Sequence, residues 1–128
     1  MRMRLTLGTI LALSFTAAAL PLHTAQAADA NAGRTLFIQR CAICHSDDKG
    51  ENKIGPTLYG VVGRKAGSVP GYSYSAANEK SNLVWTAAEL DTYLQNPRHV
   101  VPGTKMSFPG LPDATQRANV IAFLETLH

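Results

Sequence analysis

Cys41-Ala42-Ile43-Cys44-His45 sets two thiols three positions apart and puts an imidazole directly after the second. At the end of a helical segment, such thiols lie on one face of a turn and can reach the two vinyl groups of one porphyrin. The histidine stands four positions after Cys41, on nearly the same face, and can ligate the iron while two thioethers hold the ring edge. The stretch therefore reads as an attachment site for one covalently bound haem c. Two other chemistries use similar residues. A CxxC pair in an exported chain can be a redox disulfide, and a Cys/His cluster can hold zinc. Zinc needs further ligands at suitable spacing, and downstream only His99 and His128 stand, far apart. A thioredoxin-like site needs a βαβ pattern that this chain lacks.

Upstream, Met1-Arg2-Met3-Arg4 leads into an apolar run from Leu5 to Leu20 and then to Ala25-Gln26-Ala27. A basic start, an apolar middle and small residues before a cut make a secretory signal peptide over 1–27, removed after Ala27. The alternative is a membrane anchor, for which the run is short. Cleavage leaves residues 28–128, one small domain. The 12 Lys+Arg of the whole chain fall to 10 once Arg2 and Arg4 leave, against 9 Asp+Glu, so the formal net charge drops from +3 to +1. Without a basic run or recognition motif, nothing points to a nucleic-acid partner. With both cysteines inside CxxCH, no disulfide framework remains, and a buried prosthetic group would supply much of the missing core.

The rest of the pattern is helical or irregular. A first helix is predicted over Asp29 to Arg40, capped by Asp29 or Asn31, with Gly33 inside it inviting close approach of another helix. From Ser46 to Val84, glycine and proline recur every few residues, which fits an Ω-loop wrapped on a rigid disc. A short helical turn is possible around Ser75 to Lys80. Thr86-Ala87-Ala88-Glu89 has the form of a capping box that opens a helix with Leu90, Tyr93 and Leu94 on one face, ended by Asn96-Pro97. Asp113 to Gln116 opens a terminal helix with Val120, Ile121, Phe123, Leu124 and Leu127 in a stripe, whose Ala118 and Ala122 could admit Gly33. The fold class is all-α, with three main helices, short helical turns and loops around the haem.

If His45 is one axial ligand, a second must come from elsewhere. After removal of Met1 and Met3, Met106 is the sole methionine, and it sits in a Pro/Gly loop rather than on an apolar helix face. The competitors are His99 on a polar turn, the terminal His128, and Lys105. His/Met ligation raises the reduction potential and closes both axial positions, which predicts an electron carrier rather than an enzyme.

These residues resemble the class I c-type cytochromes, of the mitochondrial cytochrome c and bacterial cytochrome c2 type. The resemblance runs from about Ala30 to Leu127 and rests on Gly33 and Phe37, CAICH, Gly55-Pro56-Thr57-Leu58-Tyr59-Gly60 and Gly63-Arg64-Lys65-Ala66-Gly67. It continues through Tyr72 to Asn78, Trp85, Tyr93-Leu94, Asn96-Pro97 and Pro102-Gly103-Thr104-Lys105-Met106. It implies the class I fold around one haem c with His45 and Met106 as axial ligands. It further implies that the Pro56 carbonyl accepts from the His45 ring, and that Arg64, the Trp85 indole and the Tyr74 hydroxyl donate to the haem propionates. Asn78, Tyr93 and Thr104 resemble a polar cluster on the Met106 side, although Tyr93 reads equally well as a core aromatic. The implied protein is a monomeric periplasmic carrier serving a bc1 complex, terminal oxidase, photosynthetic reaction centre or dehydrogenase, with no stable membrane insertion. The runner-up is a peroxidase or a nitric oxide or carbon monoxide binder working through an opened Met106 side. One departure stands out: lysines are few, only Lys49, Lys53, Lys65, Lys80 and Lys105, interspersed with acids, so steering toward acidic partners should be weak.

Overall fold

A computed structural model describes residues 26–128; the proposed signal segment lies almost wholly outside them. The architecture is five helices joined by long loops: α1 (Ala30–Arg40), α2 (Ala76–Glu79), α3 (Ala87–Gln95), α4 (Pro97–Val100) and α5 (Ala114–Leu124). The three longest are the three expected. Among the described residues the extended pairing is a single antiparallel bridge, Lys65 to Val84, so the fold is all-α. No helix among them is long and apolar enough to cross a membrane.

Each main helix starts on a side chain that satisfies backbone N–H groups left free by the first turn. Asp29, not Asn31, caps α1, accepting from Asn31 N at 2.8 Å and Ala32 N at 3.2 Å. Asp113 caps α5 through Gln116 N at 2.8 Å. Only half of the expected capping box forms at α3: Thr86 Oγ1 accepts from Glu89 N at 3.1 Å, but Thr86 N donates to Val84 O at 2.7 Å. Asn96-Pro97 ends α3 as expected and also begins α4, with Asn96 as cap and Pro97 in the first turn, where its missing N–H costs nothing. The polar turn expected at His99 is thus helical, and His99 is exposed on it.

The core lies where α1, α3 and α5 converge. Phe37 packs against Phe123 with ring centroids 5.3 Å apart, and Leu90, Val120, Ile121 and Leu124 are buried around them. Gly33 is what lets α1 come so near α5, but the surface it meets differs from the one anticipated. A Cβ there would fall 1.9 Å from Asn119 O and 3.0 Å from Phe123 Cβ, whereas Ala118 faces solvent. The Asp29 N–H also donates to Asn119 Oδ1 at 2.8 Å. Gly33→Ala should gain the ~1 kcal/mol of helix propensity that alanine offers and still destabilise the haem-loaded protein by roughly 3 kcal/mol, because two backbones must part. Denaturant unfolding measures the balance, and a net gain would mean that the helices have slack.

α5 is fastened to the loop that follows α4. Arg117 is buried; its Nε donates to Asp91 of α3 at 2.8 Å, and its Nη1 to Leu111 O and Pro112 O at 2.9 and 2.8 Å. The long loop 46–84 is held in similar fashion by side chains gripping backbone. Asn52 spans it, accepting from Thr57 N at 3.0 Å and donating to Pro70 O at 3.1 Å. Trp85 N donates to Arg64 O and Gly63 N to Trp85 O, each at 2.9 Å, which sets Arg64 and Trp85 side by side.

Candidate functional site: a cavity between the CxxCH turn and the Met106 loop

α1 runs straight into the CxxCH turn. Cys41 N and Ala42 N both donate to Phe37 O, and His45 N donates to Cys41 O at 2.9 Å, so the pentapeptide continues the helix as turns. His45 is then fixed from the other side. Its Nδ1 lies 2.7 Å from Pro56 O, and the Gly55 N–H donates to Cys44 O at 2.7 Å, placing residues 55–56 flat against the imidazole. A carbonyl partner makes Nδ1 the protonated nitrogen and leaves Nε2 with its lone pair free for a metal. Burial lowers the His45 pKa, the Pro56 hydrogen bond opposes this, and Arg64 and Lys53 lower it further. The net effect holds the ring neutral, the form that ligates.

The eleven residues singled out from the sequence surround one cavity of about 550 Å³: Cys41, Cys44, His45, Pro56, Arg64, Tyr74, Asn78, Trp85, Tyr93, Thr104 and Met106. The two other histidines, His99 and His128, do not line it. Its apolar walls come from residues that the sequence did not distinguish from ordinary core: Leu58, Val61, Leu90, Leu94, Phe108 and Leu124. Volume and lining suit a cofactor pocket.

The loop after α4 turns at Gly103 and brings Met106 to the wall of the same cavity. Thr104 N donates to Val101 O at 3.0 Å, and Met106 N donates to Thr104 Oγ1 at 3.3 Å. The Tyr93 hydroxyl of α3 lies 3.9 Å from Met106 Sδ. Burial raises the Tyr93 pKa, and a hydrogen bond with the Thr104 side chain opposes the rise. Tyr93 is thus both readings at once. Its ring is core, 4.6 Å from the Trp85 ring, and its hydroxyl belongs to the Met106 side.

The polar donors sit at the edge of the cavity near the loop 57–74. Arg64 commits Nη1 to Tyr59 O at 2.8 Å and Nη2 to Thr57 O at 2.9 Å, while its Nε is buried without a partner. A buried donor left unpaired costs roughly 1–3 kcal/mol, so Nε marks a place where an acceptor belongs. The Tyr74 hydroxyl accepts from Val69 N at 3.2 Å, leaving its proton to donate elsewhere. Burial raises the Tyr74 pKa, keeping that proton in place, although the Val69 N–H and Arg64 pull the other way and Tyr72 adds to the rise. Burial lowers the Arg64 pKa, with Tyr74 opposing.

The Cys41 thiol speaks against disulfide exchange. Both thiols are half-buried and free, and burial pushes the Cys41 thiol up to about 11, with Arg40 lowering it and Cys44 adding to the rise. An exchange nucleophile needs its pKa lowered. Nor do the described residues contain any cluster of three or more His, Cys, Asp or Glu suited to a metal ion. What remains is a flat prosthetic group with acidic substituents. The orphaned Arg64 Nε and the donors beside it suit carboxylates, the apolar walls suit a porphyrin face, and Gly55, where a Cβ would fall 2.3 Å from His45 Cε1, leaves the imidazole free of obstruction.

Fold and cavity together define a small helical haem protein. Comparison with known proteins agrees. The family model described as Cytochrome c matches residues 30–128. The chain is 57% identical over 95 residues to the cytochrome c2 of Rhodopila globiformis, covering 74% of this chain and 90% of the relative. It is 48% identical over 99 residues to the cytochrome c of Euglena viridis, covering 77% and 97%. Cytochrome cH from Methylobacterium extorquens superposes with a TM-score of 0.72 at 46% identity, covering 77% of this chain and 98% of that one. The chain belongs to the cytochrome c family, in its class I form, whose members are electron carriers with one covalent haem c.

Proposed function

We propose that the chain is exported, cut after Ala27, and works in the periplasm as a one-electron carrier that makes and breaks no bond in a substrate. Cys41 and Cys44 form the thioethers, and His45 Nε2 and Met106 Sδ are the axial ligands. The reading rests on one observation: His45, its Nδ1 already taken by Pro56 O, and Met106 line the same cavity. When bound, the haem supplies a ferric/ferrous couple. The protein's own part is to hold it. Pro56 fixes the His45 tautomer, Arg64 Nε, Tyr74 and Trp85 donate to the propionates, and Asn78, Tyr93 and Thr104 order the Met106 side. A peroxidase needs a distal acid or base, and among the described residues the cavity wall holds no carboxylate and no imidazole besides His45; gas binding needs Met106 to leave the iron. Mass spectrometry and absorption of the exported protein test the proposal. A denatured chain that starts at Ala28 and still carries haem, with a low-spin native spectrum, is the expected result; a haem-free chain or a high-spin one overturns it.

Partners dock where the cavity opens. Ile43 and Ile54, both on its wall, are 78% and 73% exposed, and Arg40 and Lys105 line the same cavity. With a net charge near +1 and an apolar rim, contact rather than long-range steering should carry affinity for the bc1 complex, terminal oxidase, reaction centre or dehydrogenase that the chain serves. With a terminal oxidase as acceptor, the second-order rate should fall less than about tenfold between low and physiological ionic strength. I43Q/I54Q should raise KM without moving the reduction potential. A steep salt dependence, or a double variant that docks as well as the natural chain, would place binding elsewhere.

A further inference from the structure

Tyr72 stands where three loops meet. Its hydroxyl donates to Ile54 O at 2.8 Å, and its ring meets that of Tyr74 edge-on, with centroids 4.8 Å apart. The Lys105 ammonium lies 4.6 Å from the centre of the Tyr72 ring and donates to the Ser73 carbonyl beside it. Ile54 directly precedes Gly55-Pro56, the residues laid against His45, and Lys105 directly precedes Met106. One half-buried side chain therefore joins the segments that carry His45 and Met106, both of which line the cavity.

The Met106 loop has few other holds. Leu111 N on Leu94 O at 2.7 Å and Arg117 on Leu111 O and Pro112 O secure its far base. The Thr104 backbone bonds within the loop, and its side chain bonds to Met106 N and to the Tyr93 hydroxyl. Between residues 103 and 108, among the described residues, polar contacts leave the loop at two places: at the Tyr93 hydroxyl, met by Met106 Sδ and the Thr104 side chain, and at the Tyr72–Ser73 edge, met by Lys105. The second spans the cavity mouth, and its attraction is of the cation-over-ring kind, which needs the aromatic face but not the hydroxyl.

We propose that Tyr72 is a positioning residue that fastens the Met106 loop across the cavity through Lys105, and so sets how readily an outside ligand replaces Met106. The inference rests on the reading of Met106 as axial ligand. The two parts of Tyr72 divide the work: the ring restrains the Met106 side through Lys105, and the hydroxyl anchors the ring itself to the His45 side at Ile54 O.

Imidazole titration of the ferric, haem-loaded protein tests this, with the Met–iron charge-transfer absorption as a check on each variant. Losing the ring in Y72L should tighten imidazole binding by about two- to five-fold, the range expected for a partly exposed cation–ring contact. K105A, which also gives up the Ser73 carbonyl, should do at least the same, the double variant should gain no more than K105A alone, and Y72F, which keeps the ring but loses its anchor at Ile54 O, should fall between the natural chain and Y72L. Unchanged affinity in Y72L, additive effects in the pair, or a Y72F as loose as Y72L would each overturn the inference while leaving Met106 as ligand. Absence of the Met–iron absorption from the natural protein is a different failure: it removes the axial reading, and the fastening role with it.

Discussion

A chain carrying Gly55→Ala is expected to lose most of its ability to hold His45 as a ligand. The Cβ would fall 2.3 Å from Cε1, 2.6 Å from Nδ1 and 2.9 Å from Nε2 of the His45 ring, so the overlap is with the whole imidazole rather than with one flexible atom. Neither side has room to yield. The backbone at 55 is pinned by its N–H on Cys44 O at 2.7 Å, and the ring by Nδ1 on Pro56 O at 2.7 Å. Relief requires breaking one of these, at roughly 1–3 kcal/mol for a part-buried group, beyond the roughly 1–3 kcal/mol of overpacking. For a domain of this size that corresponds to a melting temperature lower by about 10–20 °C. Thermal unfolding of the haem-loaded protein measures this. The spectrum supplies a second readout, since a displaced imidazole weakens the ligand field and gives high-spin character, which general destabilisation does not. A Gly55→Ala protein that melts with the natural one and stays low-spin would show that the turn at 55 can move aside.

The same position shows what sequence could and could not reveal. CAICH and Met106 were legible because their chemistry is carried by residue type and short spacing, and the three main helices because caps and apolar stripes repeat locally. Gly55 was read only as part of a Gly-Pro turn. That it touches His45, ten positions away, depends on how the loop folds back. Arg64 gives a similar case. The family resemblance suggested a donor to the propionates, but its commitment to Thr57 O and Tyr59 O, with Nε left over, comes from a loop path with no periodic signature. α4 escaped because Asn96-Pro97 is equally a stop for one helix and a start for the next. Gly33 announced a close approach correctly, yet its partner depends on the rotation of α5: Asn119 and Phe123 face it, and Ala118 does not. Tyr72 carried no recognisable role, since its partners come from segments 18 and 33 residues away along the chain.

Met106→Ala should have the largest effect on redox behaviour. Thioether sulfur is a soft, neutral ligand that favours ferrous iron, so its loss should lower the reduction potential by on the order of 100 mV. The Tyr93 hydroxyl at 3.9 Å and the Thr104 side chain would then face an open position rather than sulfur. The ferrous variant should bind carbon monoxide at neutral pH, where the natural protein does so slowly or not at all. Met106→His separates charge from vacancy. A second imidazole refills the position, so carbon monoxide binding should be suppressed again while the potential stays low. Tyr93→Phe tests the neighbour: it removes the hydroxyl but keeps the ring packed on Trp85, and should move the potential by much less than loss of Met106. If Met106→Ala leaves the potential where it was and carbon monoxide still fails to bind, the sixth position belongs to another group. Lys105 is the nearest alternative in sequence, and its ammonium lies instead over the Tyr72 ring. A lysine amine would also give a low-spin spectrum, so spectrum alone does not separate the two; the potential and the carbon monoxide response of Met106→Ala against K105A do.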